Sequence, residues 1–229
     1  MIPESFRARP SDGGSLCRMR ILIIGASQGT GALAVREALK RGHEVTAFAR
    51  NPMKLQMQDP RLTKLTGNFH QQQSVAAAVR GHDAVIVTAS ATSLKAFKEN
   101  PHYFSQGTEY VIAAMQANAV RRLVILSALG TGESRKLANF FVDKLVISLL
   151  LRTPFEDHER QEALVRKSGL DWVIARPGRL TNGPGRKQYV KKTAIEPVPM
   201  AISRADVADF LVEATENDLW LHQAVQLGG

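Results

Sequence analysis

Short apolar runs rich in β-branched residues alternate along this chain with longer stretches whose apolar residues return at three- and four-residue spacing. The runs predict buried parallel strands and the spaced stretches predict amphipathic helices. Ile21–Ile24 is the first run. It stops at Gly25-Ala26-Ser27-Gln28-Gly29-Thr30-Gly31, after which Ala32, Val35 and Leu39 mark a helix as far as Lys40. Gly42 ends that helix, with Lys40 and Arg41 at its negative end. Glu44–Ala49 reads as the next strand, completing a βαβ unit.

The alternation continues to the end of the chain. After the Asn51-Pro52 turn, a third strand is predicted over Arg61–Thr66 and a helix over Gln71–Arg80, with Val75, Ala78 and Val79 inward. Asp83–Thr88 is a buried strand that opens into the small residues Ala89 to Ser93. A long helix begins at Pro101, and strands follow at Arg121–Leu126 and Asp171–Ala175. The helix Glu156–Lys167 lies between those two strands. An apolar helix is also expected within Leu137–Leu151, packing under a substrate loop or, second, serving as a lid or dimer face. Near the end, Gln188–Thr193 and Ala224–Leu227 read as short strands around a helix at Arg204–Glu216. No internal repeat and no second core interrupt the pattern. It predicts one α/β domain, a doubly wound parallel sheet of Rossmann type with helices on both faces.

In such sheets ligands lie at the carboxyl ends of the strands. The strand ends therefore name the candidate site. Gly25 permits the turn out of the first strand, Gly29 lets backbone approach a pyrophosphate, and Gly31 lets the helix pack closely on the sheet. Ser27, Gln28 and Thr30 lie in the same turn, where a helix N-terminus offers N–H groups to phosphates. This context of strand, glycine turn and helix points to a dinucleotide. At the end of the second strand NAD-preferring sites place a carboxylate for the ribose 2′-OH. Here Arg50 stands there, followed by Lys54, a cation pair suited to the 2′-phosphate of NADP(H). Asn68 and Phe69, Thr88 to Ser90, Ser127, and Pro177-Gly178 complete the strand-end set, with Arg179 on the loop beyond as a group for an anionic substrate.

Composition narrows the picture without redirecting it. The 229 residues suffice for one sizeable core. Cys17 is the only cysteine, so no intramolecular disulfide forms, which fits a reducing, cytoplasmic setting. No apolar run reaches membrane-spanning length. Residues 1–18, rich in Pro, Gly, Ser and Arg, read as a disordered leader before a domain at 19–229. The net charge of +9 raises nucleic acid as a partner, but the basic residues are scattered and lack interleaved aromatics. An anionic cofactor explains the excess as well, and no histidine or cysteine spacing suggests a metal.

The segments GASQGTG (25–31), AFARNP (47–52), TGNF (66–69), HDAVIVTAS (82–90), VILSALG (124–130), SGLDWVIARPGRLTNGP (168–184) and ISRADVADFLVEA (202–214) give the chain a family likeness. It resembles atypical short-chain dehydrogenase/reductases of the NmrA-like, NAD(P)H-binding branch, close to the flavin reductase/biliverdin reductase B type. The likeness runs from Met19 to the end. Its glycines fall as GxxxGxG where atypical members commonly show GxxGxxG, and Gly67 is followed by Asn68 where the family often has Asp. Classical short-chain dehydrogenase/reductases and many extended ones carry Tyr-x-x-x-Lys on the helix before the sixth strand; the corresponding positions here are Pro154 and His158, and the chain contains no such pair. The resemblance implies Ser127 and His158 as the catalytic pair.

Reduction of a simple ketone needs an acid for the developing alkoxide, which a tyrosine beside a lysine supplies. A flavin, quinone or linear tetrapyrrole such as biliverdin spreads incoming charge and takes its proton from solvent. The absent tyrosine favours that kind of small-molecule acceptor, with NADPH as donor and His158 as an available proton donor. The alternative is a non-catalytic NADP(H)-binding redox sensor acting through a protein partner. Sugar-nucleotide epimerisation fits poorly, because little chain follows the sixth strand. The expected assembly is a monomer or a small homo-oligomer. Arg176 is expected to brace its strand end, and His43, His82 and His222 to lie at the surface.

Overall fold

β1 (Arg20–Ile24) is apolar on both of its faces, and the structure uses both. Successive strand side chains point to opposite sides. Ile21 and Ile23 join one buried cluster with Val35, Leu39, Phe210 and Leu211, while Leu22 and Ile24 join another with Val75, Val79, Val111, Met115 and Val165. An unbroken apolar run is what a strand covered on two faces requires. The computed structural model describes residues 18–89, 95–134 and 152–229. The expected helix over 137–151, Ser90, and residues 1–17 of the expected leader lie outside these.

The helix α1 (Gly29–Lys40) leads to β2 (Glu44–Ala49), then β3 (Leu62–Thr66), α2 (Gln72–Val79) and β4 (Ala84–Val87). A short α3 (Lys95–Glu99) and the long α4 (Tyr103–Ala117) precede β5 (Arg122–Leu126). α5 (Arg152–Lys167) and β6 (Asp171–Pro177) follow. The last part holds β7 (Arg179–Thr181), β8 (Val190–Lys192), β9 (Ala201–Ser203), α6 (Arg204–Glu216) and β10 (Gln223–Gly228). The main sheet runs β3-β2-β1-β4-β5-β6-β10-β8, parallel throughout except for β8 against β10. α1 packs with α6 on one face, and α4 packs with α2 and α5 on the other. The chain is thus a single Rossmann domain, with the order reversing at β1, between β2 and β4.

Three features depart from the sequence expectation. β7 and β9 form a separate two-stranded parallel sheet at the rim. Each is three residues long, too short for a period-2 pattern to register. His43, expected at the surface, is fully buried: the Met19 N–H donates to its Nδ1 at 3.3 Å and its Nε2 meets Glu216 Oε1 at 2.7 Å. A polar residue next to a glycine turn reads as solvated, but α6 closes over it. His82, also expected at the surface, is half-buried, with its Nε2 2.8 Å from Thr46 Oγ1, whereas His222 is exposed as expected. Among the described residues no helix is long and apolar enough to cross a membrane.

The sheet reversal is held by close backbone packing. Gly25 has φ +85°, and a Cβ on it would stand 2.8 Å from Ala89 N. A Cβ on Gly31 would overlap the Gly25 carbonyl oxygen and stand 2.5 Å from Thr88 Oγ1. Gly31→Ala should therefore lower stability by about 1–3 kcal/mol through overpacking against backbone. Urea unfolding checks this; a variant as stable as the parent would show that α1 shifts freely on the sheet.

Candidate active site

The glycine turn, the end of β2 and the end of β3 enclose a cavity of about 340 Å³. Gly25, Ser27 and Gln28 form one wall, Ala49, Arg50, Asn51 and Lys54 a second, and Asn68, Phe69, His70 and Tyr103 a third. Among the described residues no carboxylate lines it, and its cations, Arg50 and Lys54, are exposed side chains at its mouth. The turn after β2 puts Lys54 near Arg50, because Pro52 opens a 3-10 turn, Pro52–Lys54, immediately after the strand. Asn68 is fixed by its own turn: its N–H donates to Ser74 Oγ and its Oδ1 accepts from the His70 N–H.

The phosphate side is built from the start of α1. Among the described residues no side chain caps this helix, and no acidic residue sits in its first turn. Its end is therefore electropositive and its N–H groups face outward. A Cβ built on Gly29 would meet only Arg204 Nε, at 3.9 Å, so the backbone is open to a ligand there. Arg204 begins α6, and its Nη1 donates to Asn182 Oδ1 at 2.6 Å. The sequence reading missed Arg204, and also Tyr103 and His70, as neighbours of the site. An aromatic in the first turn of α4 was the available signal for Tyr103. Nothing local marks Arg204, which arrives from a distant part of the chain.

These residues fit a dinucleotide. The uncapped helix start and bare Gly29 suit a pyrophosphate, and the carboxylate-free cavity suits an adenosine carrying a further phosphate. Thr88, expected to line the cofactor, instead donates its hydroxyl to the Ile24 carbonyl at 2.8 Å and lies buried beneath Gly31. It shapes the turn from below. Thr30 is likewise buried, Gln28 and Gly29 are exposed, and Ala89 lies on the cavity wall.

At the other end of the crevice, Ser127 follows β5. Its N–H donates to Ala175 O, and the Leu129 N–H donates to Pro177 O, so the exits of β5 and β6 are tied together. Gly178 N–H donates to Leu227 O, and Arg179 is exposed at the start of β7. The Ser127 hydroxyl donates to Glu162 Oε1 at 2.7 Å, not to His158. Arg176, only 1% exposed, grips the same carboxylate with Nε at 3.0 Å and Nη2 at 2.5 Å, and Nη2 also meets Glu133 at 2.8 Å. Arg176 thus braces its strand end as expected, and Glu162 is the residue sequence reasoning missed. The spacing His158-x-x-x-Glu162, one turn apart on a helix, was the signal for it.

His158 stacks on Phe104, with centroids 4.1 Å apart and planes at 16°. Its Nδ1 lies 3.0 Å from Gln161 Oε1, and Gln161 Nε2 donates to Thr108 Oγ1 at 2.9 Å. That chain presents the Gln161 oxygen to the ring, so the neutral imidazole carries its proton on Nδ1. Burial holds His158 below its usual value, against the opposing pull of Gln161, Glu162 and Asp157. Asp157 is itself committed, accepting from the Phe104 N–H and Ser105 Oγ at 2.5 Å each, which caps α4 from a neighbouring helix.

The fold and the glycine turn define a dinucleotide-binding Rossmann protein. The chain belongs to the NAD(P)H-binding family, whose profile matches residues 25–218. The chain is 34% identical over 113 residues to a 3-beta-hydroxysteroid dehydrogenase of Mycolicibacterium neoaurum, covering 46% of this chain and 31% of that one. It is 27% identical over 183 residues to a 2-alkyl-3-oxoalkanoate reductase of Stenotrophomonas maltophilia, covering 77% of this chain and 55% of that one. It therefore spans about half or less of the length of these two relatives. A short-chain dehydrogenase/reductase of Veillonella parvula solved in complex with NADP superposes with a TM-score of 0.74 at 17% identity, over 92% of this chain and 94% of that one.

Three histidines are held low mainly by burial: His70, where Arg50 adds to the effect, His82 and His158. Their stabilising contribution is complete above an unfolded value of about 6.5 and is lost as pH falls through and below it. The urea midpoint should therefore drop between pH 7.5 and pH 5.5, and His158→Phe, which keeps the stack on Phe104, should flatten part of that slope. An unchanged slope would place the His158 ring in solvent.

Proposed function

We propose that the chain is an NADPH-dependent reductase that passes hydride to a conjugated small-molecule acceptor, a flavin, a quinone or a linear tetrapyrrole such as biliverdin. The observation that carries this reading is that neither Ser127 nor His158 has a proton to offer at neutral pH. The Ser127 hydroxyl proton goes to Glu162, and the Nδ1 proton of a histidine held neutral goes to Gln161. An oxoalkanoate, as in the name of the Stenotrophomonas relative, needs a proton at its developing alkoxide. A conjugated acceptor disperses the charge and is protonated by solvent.

When bound, the reduced nicotinamide supplies the hydride. The protein's own contribution is orientation. Arg50 and Lys54 take the adenosine 2′-phosphate, Ser27, Gln28 and Gly29 with the start of α1 take the pyrophosphate, and Arg204 closes on it from α6. Asn68 and Phe69 border the adenine. Ser127, Pro177 and Gly178 define the nicotinamide end, and Arg179 faces an anionic acceptor. The commitment of both site protons also suits a second reading, a non-catalytic NADP(H)-binding regulator that reports cofactor state to a protein partner.

The test is oxidation of NADPH by the purified chain with FMN, riboflavin, a quinone and biliverdin, with NADH as the comparison donor. Turnover with at least one acceptor, faster from NADPH, is expected. Tight NADPH binding without turnover on any of them would favour the regulator. Two substitutions separate the phosphate contacts. Arg50→Glu should weaken NADPH by roughly tenfold or more while sparing NADH, because it sets a carboxylate against a phosphate. Arg204→Gln should weaken both cofactors alike, since both carry the pyrophosphate. An Arg204 variant selective for NADPH would move that residue to the adenosine end.

A further inference from the structure

The hydroxyl of Ser127 has one proton and two lone pairs. Its proton is directed to Glu162 Oε1. Glu162 cannot return one: it is buried, held by Arg176 through two hydrogen bonds, and approached by Arg166 Nη2 at 3.9 Å. A carboxylate between two permanently charged guanidiniums accepts hydrogen bonds and has none to give. Arg176 is in turn fixed by Glu133, which also attracts Arg166 at 3.6 Å. The Ser127 backbone is fixed as well, by its bond to β6. Turning the hydroxyl proton outward would cost Glu162 Oε1 one of its two donors among the described residues, leaving it Arg176 Nε alone.

We propose that Glu162, held by Arg176, is a positioning residue that fixes the polarity of Ser127, so that Ser127 meets the bound dinucleotide only as a hydrogen-bond acceptor and takes an N–H of its nicotinamide carboxamide. This rests on the dinucleotide reading above and assigns Ser127 a different part from that of a serine donating to a substrate carbonyl. Specificity follows from it. A cofactor whose carboxamide is replaced by a group without N–H leaves the serine lone pair unanswered. A carbonyl oxygen brought to the same place meets a second acceptor.

The test compares the affinities of NADPH and of its 3-acetylpyridine analogue, in which a methyl group replaces the amide NH₂, by calorimetric titration. The parent should prefer NADPH by roughly three- to tenfold, the worth of one hydrogen bond. Ser127→Ala, which leaves the Arg176–Glu162 pair intact, should lose affinity for NADPH and keep its affinity for the analogue, so that the preference disappears. Glu162→Gln paired with Arg176→Gln, which removes the guanidinium N–H groups that share the carboxylate, can offer the hydroxyl an amide N–H, frees its proton to turn outward, and should raise affinity for the analogue. The paired change also leaves neither charge buried without its partner. Equal losses for the two cofactors in Ser127→Ala would overturn the proposed polarity while leaving NADPH binding standing. An unchanged preference in Glu162→Gln paired with Arg176→Gln would overturn the part assigned to Glu162. If the parent failed to bind NADPH at all, the underlying dinucleotide reading would fall, and this proposal with it.

Discussion

The close approach of Gly31 to the Gly25 carbonyl and Thr88 is the contact on which the arrangement depends. It allows α1 to start directly against the carboxyl ends of β1 and β4, where the order of the sheet reverses. A side chain at Gly31 would lift the helix away and carry its free N–H groups out of the crevice. Thr88 completes the contact from below by bonding the Ile24 carbonyl at the end of β1. The alternating burial of β1 then fixes the remainder, because Ile21 and Ile23 call for one helical layer and Leu22 and Ile24 for the other. The position of the cavity beside the turn is a consequence of sheet packing, and its chemistry is added by the loops.

A second buried contact governs the other end of the crevice. Arg176 and Glu162 tie α5 to β6, and Ser127 joins them from the end of β5. A pair so deeply buried is costly to assemble and strongly destabilising to break singly. Its value here is definition: three elements that meet at the site are held in one geometry, with the serine hydroxyl oriented. One turn back along the same helix, His158 is set by Phe104, Gln161 and Thr108 in the same manner. On the proposed reading this is a place that orients a cofactor and an acceptor and leaves protonation to water.

Much of this is legible in the chain before folding. The apolar runs locate the strands of the main sheet, and the glycine turn and Arg50 locate the dinucleotide end, because those signals are local and periodic. The rest depends on contacts distant in sequence. Ser127 is visible as a strand-end serine, but its partner Glu162 lies 35 positions away on a charged helix, marked only by its one-turn spacing from His158. Small residues at strand ends usually face the ligand, and only the packing shows Thr88 beneath Gly31 instead. His43 reads as a surface residue because nothing near it announces that Glu216 will cover it. β7 and β9 are held by each other and by loops, with no pattern of their own.

The central claim is that the cavity between β2 and β3 accepts an adenosine bearing a 2′-phosphate, and calorimetric titration with adenosine 2′,5′-bisphosphate against adenosine 5′-monophosphate tests it most directly. The two ligands share base, ribose and 5′-phosphate and differ only in the group assigned to Arg50 and Lys54. The account predicts that the bisphosphate binds roughly tenfold or more tightly, with a preference that shrinks as salt is raised. Equal affinities at low salt would contradict it, and would mean that the two cations are solvated side chains at the mouth of a cavity that does not read the 2′ position.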